Sequence, residues 1–373
     1  MTGRIARLVA LALTLTVWGG PARVGHGATP DADAAARRPT RLMEDMVGRT
    51  VEIPLNIKKV YSTSPAGTVL VYVLAPELLA GWNYPLTPAE QAWIPQPYRS
   101  LPVLGGWFST GVTANLEEIV RARPDLILSM GTTDTLSVSQ SERLQQQSGI
   151  PVLMMSGHLE QLPAALEFAG RLFQCSQRAT QLAGYAARVL AEARAAAASQ
   201  TPRVRIYYAQ GPRGLETDPA GSYHTEILDL LGGINVAQGL PRSGKGRVTV
   251  SPEQVLAWDP DLIIAGYDTG RQPNLQRGRL TEDPVWRQLK AVRQGRVVVT
   301  PQVPFNWFDR PPSVNRLIGV RWVGRLLHPK AFGGDLRKDV CEFYKLFYRL
   351  ELTDEQVDDL LRFALPSAGP DPE

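Results

Sequence analysis

Histidine offers the widest range of chemistry in this chain, and its spacing limits what that chemistry can be. Apart from His26 near the N-terminus, the histidines are His158, His224 and His328, and no two stand at a spacing typical of metal ligands. The chain also lacks a Gly-x-Ser-x-Gly turn and the familiar cysteine–histidine nucleophile signatures. We therefore expect no catalytic residue, no resident metal and no bound cofactor.

The surroundings of His224 indicate ligand binding. It falls in the first turn of a predicted helix, 223–231, where free backbone N–H groups and the helix dipole favour an anion. Arg213 and Glu216 lie in the glycine-rich loop after the predicted strand 204–209, at the same edge of the expected sheet. A partly exposed histidine that only completes the helix end explains the sequence equally well, and both interpretations stay open.

A second loop joins aromatic and charged side chains. The run Trp307-Phe-Asp-Arg310 follows the predicted strand 296–300 and precedes a predicted helix. Open α/β sheets bind ligands at the carboxyl ends of their strands, and an aromatic pair beside an arginine suits a flat ligand with acidic groups. The alternative is a packed loop in which Asp309 and Arg310 pair with each other. The position at a strand end favours the ligand.

Two segments of the chain repeat one pattern. Residues 116–128 and 252–264 each carry a glutamate, two aliphatic residues, a Pro-Asp pair and an apolar run. The pattern predicts a short helix, a turn and a buried strand, once in each of two α/β lobes. Glu117 and Glu253 occupy the same place in the two copies. The helix dipole favours an acid in a first turn, which explains both residues; matched carboxylates that face a two-fold partner are the alternative.

The run between the two copies predicts a bridging helix. Residues 160–200 are rich in Ala, Leu, Gln and Arg, with apolar side chains every three to four positions. We predict one rigid helix that joins an N-terminal α/β lobe, 41–159, to a C-terminal α/β lobe, 201–373. Between residues 82 and 111, aromatic side chains stand among prolines. These rings either plug lobe surfaces or, as we favour, line a mouth.

The composition describes an ordinary globular protein with an export signal. The 373 residues are 44% hydrophobic, and a net charge of +4 without a basic stripe argues against nucleic-acid binding. Arg4 and Arg7 precede an apolar run and small residues, which predicts a cleaved secretory signal over 1–28. No cysteine follows that run, so we expect no lipid anchor. Cys175 and Cys341 could form a disulfide after export or remain two thiols.

Together these features resemble the cluster III periplasmic solute-binding proteins, which serve ABC importers for siderophores, haem and cobalamin. The resemblance runs from about residue 46 to residue 361. It rests on Ser64-Pro-Ala, on Gly105-Gly-Trp-Phe, on the two repeats and on Trp307-Phe-Asp-Arg. It implies two Rossmann-like lobes with central sheets, one long rigid bridging helix, a ligand cleft between the lobes and a periplasmic location.

The resemblance also implies roles for individual residues. Glu117 and Glu253 match glutamates that dock such proteins onto arginines of a dimeric permease. The residues expected to contact the ligand are Ser64, Trp107, Arg213, Glu216, Tyr223, His224, Trp307 and Arg310. The expected cargo of the monomer is an iron complex or other metal chelate (siderophore, haem or cobalamin-like), with a molybdate or tungstate oxyanion as the alternative. A metal-cluster enzyme on a nitrogenase-like scaffold is disfavoured, because it needs cysteine ligands and the two cysteines are dispersed.

Overall fold

Parallel strands that alternate with helices form the framework of the chain. The computed structural model describes residues 39–107, 114–199, 203–241, 246–266 and 273–367. The strands are β1 (Thr40–Glu44), β2 (Thr50–Pro54), β3 (Val60–Ser62), β4 (Leu126–Gly131), β5 (Val152–Ser156), β6 (Arg205–Ala209), β7 (Glu216–Thr217), β8 (Ile234–Asn235), β9 (Val248–Thr249), β10 (Leu262–Ala265) and β11 (Val297–Val299). The helices are α1 (Pro65–Leu74), α2 (Pro88–Gln91), α3 (Leu116–Ala122), α4 (Thr135–Ser148), α5 (Leu162–Leu172), α6 (Ser176–Ala198), α7 (Glu226–Leu230), α8 (Pro252–Trp258), α9 (Pro273–Glu282), α10 (Lys290–Arg293), α11 (Arg316–Leu327), α12 (Leu336–Phe343) and α13 (Asp354–Leu361). This order confirms the predicted α/β class.

Each half of the chain has its own parallel sheet. The first sheet has the strand order β3-β4-β5 and the second has the order β11-β10-β6-β8. The central strands β4 and β10 are buried almost throughout, which is why their sequences are continuous apolar runs and not alternating ones. In the second sheet, the loops that leave β6, β10 and β11 begin at Gln210, Gly266 and Thr300, so they start at one shared edge.

The two sequence repeats have the same structure in both lobes. Asn115 caps α3 and Ser251 caps α8, each through a side-chain oxygen that accepts a backbone N–H of the first turn. Arg123 and Asp259 end the two helices in the left-handed conformation, with φ of 51° and 35°. The strands β4 and β10 follow directly.

The aspartate of each Pro-Asp pair fixes a neighbouring strand. Asp125 Oδ2 accepts the backbone N–H of Lys58 at 2.8 Å, just before β3. Asp261 Oδ2 accepts the backbone N–H of Arg205 at 2.9 Å, at the start of β6. The repeated motif therefore sets the register of the sheet as well as the turn before its own strand.

The predicted bridging helix is two helices. A turn at Phe173–Cys175 separates α5 from α6, and Gln174 adopts a φ of 58° there. The backbone N–H of Cys175 donates to the Gly170 carbonyl at 2.9 Å, and α5 and α6 pack against each other. The prediction of one helix over 160–200 is wrong because apolar spacing continues across the turn. The 23-residue α6 still connects the lobes, since it also packs against α11.

Aromatic rings fill the boundary between the lobes. Three pairs of ring centroids span it: Trp82–Phe305 at 5.9 Å, Trp93–Tyr344 at 5.4 Å and Tyr72–Tyr348 at 6.2 Å. These rings belong to one apolar core that is continuous through both lobes. The interpretation that the rings of 82–111 line a mouth is therefore wrong for Trp82 and Trp93, which plug the lobe boundary.

A π-helical turn supplies the second lobe's share of these rings. The helix α12 is followed directly by the π turn Tyr344–Tyr348, which ends at Arg349 with a φ of 60°. The Arg349 guanidinium donates to the Leu74 carbonyl at 3.3 Å, at the end of α1. The irregular turn thus joins the C-terminal helices to the first lobe.

Three expectations from the sequence concern export and oxidation. Cys175 and Cys341 are half-buried free thiols in the structure. The predicted signal segment, 1–28, lies outside the described residues. None of the helices in the described part of the chain combines the length and hydrophobicity that a membrane crossing needs.

The α5–α6 contact makes a paired prediction about two glycines. A Cβ at Gly170 would lie 2.2 Å from the Ala179 Cβ, so Gly170→Ala should destabilise the protein by about 1–3 kcal/mol through overpacking. A Cβ at Gly184, exposed on α6, would meet nothing within 4 Å, so Gly184→Ala should stabilise it by about 0.5–1 kcal/mol. Urea unfolding of both variants measures the two changes, and equal shifts would contradict the packing described here.

Candidate ligand-binding site

Arg310 is held by buried polar groups of the second lobe. Its Nη2 lies 2.9 Å from both carboxylate oxygens of Asp218, and its Nε donates to Gln210 Oε1 at 3.0 Å. Asp218 and Gln210 are fully buried, and Arg310 adopts a φ of 53°. The guanidinium charge is therefore neutralised within the protein.

Asp309 connects this cluster to His224. The Asp309 Oδ1 and His224 Nδ1 atoms are 2.7 Å apart, and Asp309 Oδ2 is 3.4 Å from Arg310 Nε. Burial alone would raise the pKa of the fully buried Asp309 carboxyl, but His224 and Arg310 bring that pKa below its ordinary value. Burial and the neighbouring Asp309 raise the pKa of Asp218. Asp309 is thus the carboxylate that stays ionised beside the imidazole.

The contact with Asp309 fixes the polarity of the His224 ring. A carboxylate only accepts hydrogen bonds, so the Nδ1 of His224 carries the proton and a neutral ring presents a lone pair at Nε2. Gly246 lies close by, since a Cβ there would be 2.4 Å from Asp218 Oδ1 and 2.5 Å from His224 Cδ2. Only a glycine allows the chain to pass this near to the cluster.

Side chains of the second lobe form hydrogen bonds with the residues that follow β5. The Gly157 carbonyl accepts hydrogen bonds from the Tyr223 hydroxyl, at 3.0 Å, and from the Arg316 guanidinium. Glu226 Oε2 accepts the backbone N–H of Leu159 at 2.8 Å and pairs with Arg316 Nη1 at 2.7 Å. A Cβ at Gly157 would lie 2.2 Å from the Tyr223 hydroxyl oxygen, so glycine is required at this contact.

His158 repeats the arrangement of His224 from the opposite lobe. Its Nδ1 lies 2.5 Å from Glu226 Oε1, so Nδ1 carries a proton and Nε2 presents a lone pair whenever the ring is neutral. Both imidazoles contact Tyr223, with ring centroids 5.2 Å from it for His158 and 5.5 Å for His224. Burial raises the pKa of Tyr223 to about 12, so its hydroxyl stays protonated and keeps donating to the first lobe.

Comparisons with known proteins identify the family to which the fold belongs. A family model described as periplasmic binding protein matches residues 60–304. The chain belongs to the periplasmic binding protein family. No curated protein sequence matches it.

Solved structures share the fold over most of the chain. An ABC transporter solute-binding protein from Sulfurospirillum deleyianum is 31% identical, covers 86% of this chain and 99% of its own, and has a TM-score of 0.79. A molybdate-bound periplasmic binding protein of Haemophilus influenzae is 23% identical, with coverages of 84% and 99% and a TM-score of 0.66. A Helicobacter pylori protein with Ni(II) bound is 16% identical, with coverages of 86% and 99% and a TM-score of 0.64. The last two show likeness of fold alone.

The two tryptophans expected against a ligand of this binding protein have different environments. Trp107 is 47% exposed, and its ring meets the edge of Tyr61 at 6.4 Å, beside the carboxyl end of β3. Trp307 is fully buried, and its Nε1 donates to the Tyr344 hydroxyl at 3.0 Å. The structure therefore contradicts the prediction that Trp307 faces a ligand, since the π turn encloses it.

The other residues predicted to contact a ligand also have different environments. The Ser64 hydroxyl caps α1 and donates to the Met130 carbonyl at 2.6 Å. Glu216 pairs with Arg247 at 2.9 Å, whereas Arg213 is exposed on the loop before it. Of the predicted ligand residues, the structure thus brings together Tyr223, His224 and Arg310.

The helix expected around His224 begins later in the chain. α7 starts at Glu226 and has five residues, and Thr225 occupies the position before it. The Ser222 hydroxyl accepts the backbone N–H of His224 at 3.2 Å. The predicted helix start at residue 223 is wrong. Because His224 precedes the helix and its side chain is turned to Asp309, the helix N-terminus no longer supports the anion interpretation.

The sequence did not identify His158 as a site residue, nor the charged residues that surround the two imidazoles. His158 follows β5 directly, so the rule that sites gather at the carboxyl ends of strands would have found it. Asp218, Glu226 and Arg316 gave no local signal, since their charged partners lie 68 to 92 residues away in the sequence. His328 is structural: its Nε2 lies 2.7 Å from the Leu231 carbonyl.

Two further features lie apart from this cluster. A groove of about 570 Å³ is bounded by Trp93, Val303 and Phe363, and none of the clustered residues lines it. Within the described ranges, no three His, Cys, Asp or Glu side chains gather in an arrangement that could hold a metal ion. Any metal at the cluster would therefore need ligands of its own.

The contacts of Glu226 with the first lobe predict that the unfolding free energy of the protein depends on pH. Burial opposes ionisation of Glu226, but His158, Arg316 and the Leu159 N–H lower its pKa below the ordinary 4.5. A lowered pKa contributes stability that is present above pH 4.5 and is lost as the pH falls through the folded-state value. At neutral pH, the unfolding free energy of the wild-type protein should therefore be larger than that of Glu226→Gln. This difference, called the gap below, should shrink in acid.

Urea titrations between about pH 3 and pH 8 measure this gap. Glu118→Gln is the matched control, because Glu118 and Arg121 form an exposed pair whose loss should change little at any pH. A gap for Glu226→Gln that stays constant or widens in acid would contradict the assignment.

Proposed function

We propose that this protein is the exported solute-binding component of an ABC importer and that it captures a metal chelate between its lobes. Membership of the periplasmic binding protein family supports the binding role, and the similarity to the Sulfurospirillum deleyianum protein supports the link to an ABC transporter. The protein acts as a carrier in the periplasm and not as an enzyme. Its cargo is an iron complex or another metal chelate.

The polarity of the two imidazoles carries this choice of cargo. The Nδ1–H of His158 donates to Glu226, and the Nδ1–H of His224 donates to Asp309. No described residue forms a hydrogen bond to Nε2 of either ring. A carboxylate behind an imidazole fixes its tautomer and raises its basicity, as it does for histidines that bind metals in proteins. The two lone pairs suit a metal centre whose chelator leaves coordination positions open.

The same polarity disfavours an oxyanion. Molybdate or tungstate needs hydrogen-bond donors, and neutral rings in this tautomer offer acceptors at Nε2. The charge of Arg310 is already matched by Asp218 and Asp309, so it is not free for a second anion. Buried carboxylates behind the site favour a positive centre instead.

Trp107 supports a cargo with an organic part. Its indole is 47% exposed beside the carboxyl end of β3, whereas the other rings described between residues 82 and 106 are buried or partly buried. An exposed aromatic face can cover the flat or apolar body of a chelator while the metal lies deeper.

Binding assays with small chelates test the cargo. Ferric and Ni(II) nitrilotriacetate leave positions open for imidazole, so they should bind, and molybdate should not. His224→Ala and His158→Ala should each weaken binding at least tenfold, about 1.4 kcal/mol. Arg213→Ala, on an exposed loop, should leave the affinity unchanged. Calorimetry with each probe measures the affinities.

The opposite pattern would support the oxyanion. Molybdate binding that falls in Arg213→Ala or His224→Ala, together with no binding of either nitrilotriacetate complex, would overturn the chelate proposal. A hexadentate ferric chelate serves as the internal comparison, because it leaves no position for imidazole and should bind more weakly than ferric nitrilotriacetate.

The two repeats support docking onto a two-fold permease. Glu117 and Glu253 lie in the first turns of α3 and α8, and both are exposed. Within the described chain neither carboxylate pairs with a lysine or arginine. They are therefore available to arginines of a partner.

Reversal of both charges tests docking separately from capture. The double variant Glu117→Arg/Glu253→Arg should keep its affinity for cargo and lose uptake, since like charges would then meet at both contacts. Uptake is measured in cells that export only the variant. Uptake equal to wild type would remove the docking assignment.

A further inference from the structure

Each docking carboxylate has an aliphatic neighbour on the same face of its helix. Val120 follows Glu117 by three positions and Leu256 follows Glu253 by three, which places each pair side by side on a helix. Val120 is 43% exposed and Leu256 is half-buried. The pair is thus present twice, at equivalent places in the two lobes.

The cores of the lobes do not require these two side chains where they lie. Ile119 is fully buried and Val255 is 2% exposed, and these adjacent residues anchor α3 and α8 to their sheets. Val120 joins no apolar cluster of the described chain, and Leu256 only borders one. Val120 therefore has an exposed surface without a packing role, and Leu256 keeps an exposed part beside its contact with the core.

We infer that Glu117 with Val120 and Glu253 with Leu256 form two equal docking elements, each a carboxylate beside an aliphatic side chain. This inference rests on the proposed docking to a permease. The partner that fits is a two-fold membrane protein which presents, on each subunit, a basic side chain next to an apolar hollow. The duplication argues for this partner, because one non-symmetric protein would not need the same surface on both lobes.

The carboxylate and the aliphatic side chain of each element contribute differently to binding the permease. Exposed carboxylates steer the approach and set the orientation, but an exposed ion pair contributes little free energy. Burial of an aliphatic side chain at the centre of a contact contributes more, because it removes apolar area from water. The aliphatic residues should therefore govern how long the complex lasts.

Photo-crosslinking in cells tests the inference without knowledge of the cargo. p-Benzoylphenylalanine at Gln254, exposed beside Glu253, should give an adduct that mass spectrometry identifies as an ABC permease subunit. In the background Val120→Ser/Leu256→Ser, the adduct yield should fall at least fivefold. Leu136→Ser is the matched control, because Leu136 is 67% exposed on α4 and lies outside both elements, so its yield should equal that of wild type.

The outcomes separate this inference from the proposed function. Unchanged yield in Val120→Ser/Leu256→Ser, with loss of the adduct in Glu117→Arg/Glu253→Arg, overturns the aliphatic contact and leaves docking in place. No permease adduct in the wild-type background overturns both. Urea midpoints of all variants are compared with wild type, and Val120→Ser alone is used if Leu256→Ser lowers the midpoint, since Val120 packs on no core cluster.

Discussion

The buried guanidinium of Arg316 lies at the centre of the polar contact between the two lobes. It is 1% exposed, pairs with Glu226, donates to the Gly157 carbonyl and lies 5.2 Å over the ring of Tyr223. A buried charge without partners costs several kcal/mol, so the lobes are stable only where all three partners are in place. Because Glu226 and Tyr223 also contact His158, this single charge fixes where the first lobe offers its imidazole to the second.

The cluster around His224 shows how burial decides the character of a site that contains both signs of charge. Counted as single residues, Arg310 and His224 suggest an anion site. Asp218 and Asp309 are fully buried behind them and take up the guanidinium and the Nδ1–H, so what remains for a ligand is a lone pair. Read with these partners, the site has the polarity of a metal ligand.

Sequence predicts best what is set by local pattern. The repeats, with a short helix and a buried strand in each, follow from short stretches, and both are present in the structure. The turn at Gln174 between α5 and α6 could not be predicted from the sequence, because the helical periodicity is the same on both sides of it. Trp107 and Trp307 carried equal weight in the sequence, and only the distant π turn at Tyr344 makes one a surface and the other core.

The repeat also determines where its two glutamates lie relative to the strand ends. α3 and α8 are joined to β4 and β10 by three residues each, so each helix must fold back and run against the direction of its strand. The amino end of each helix then faces the edge where the parallel strands have their carboxyl ends. Glu117 and Glu253 start these helices, and the residues around His158 and His224 follow the strand ends. A partner that held both glutamates, as proposed, would therefore lie at the same edge of the two sheets as these histidines.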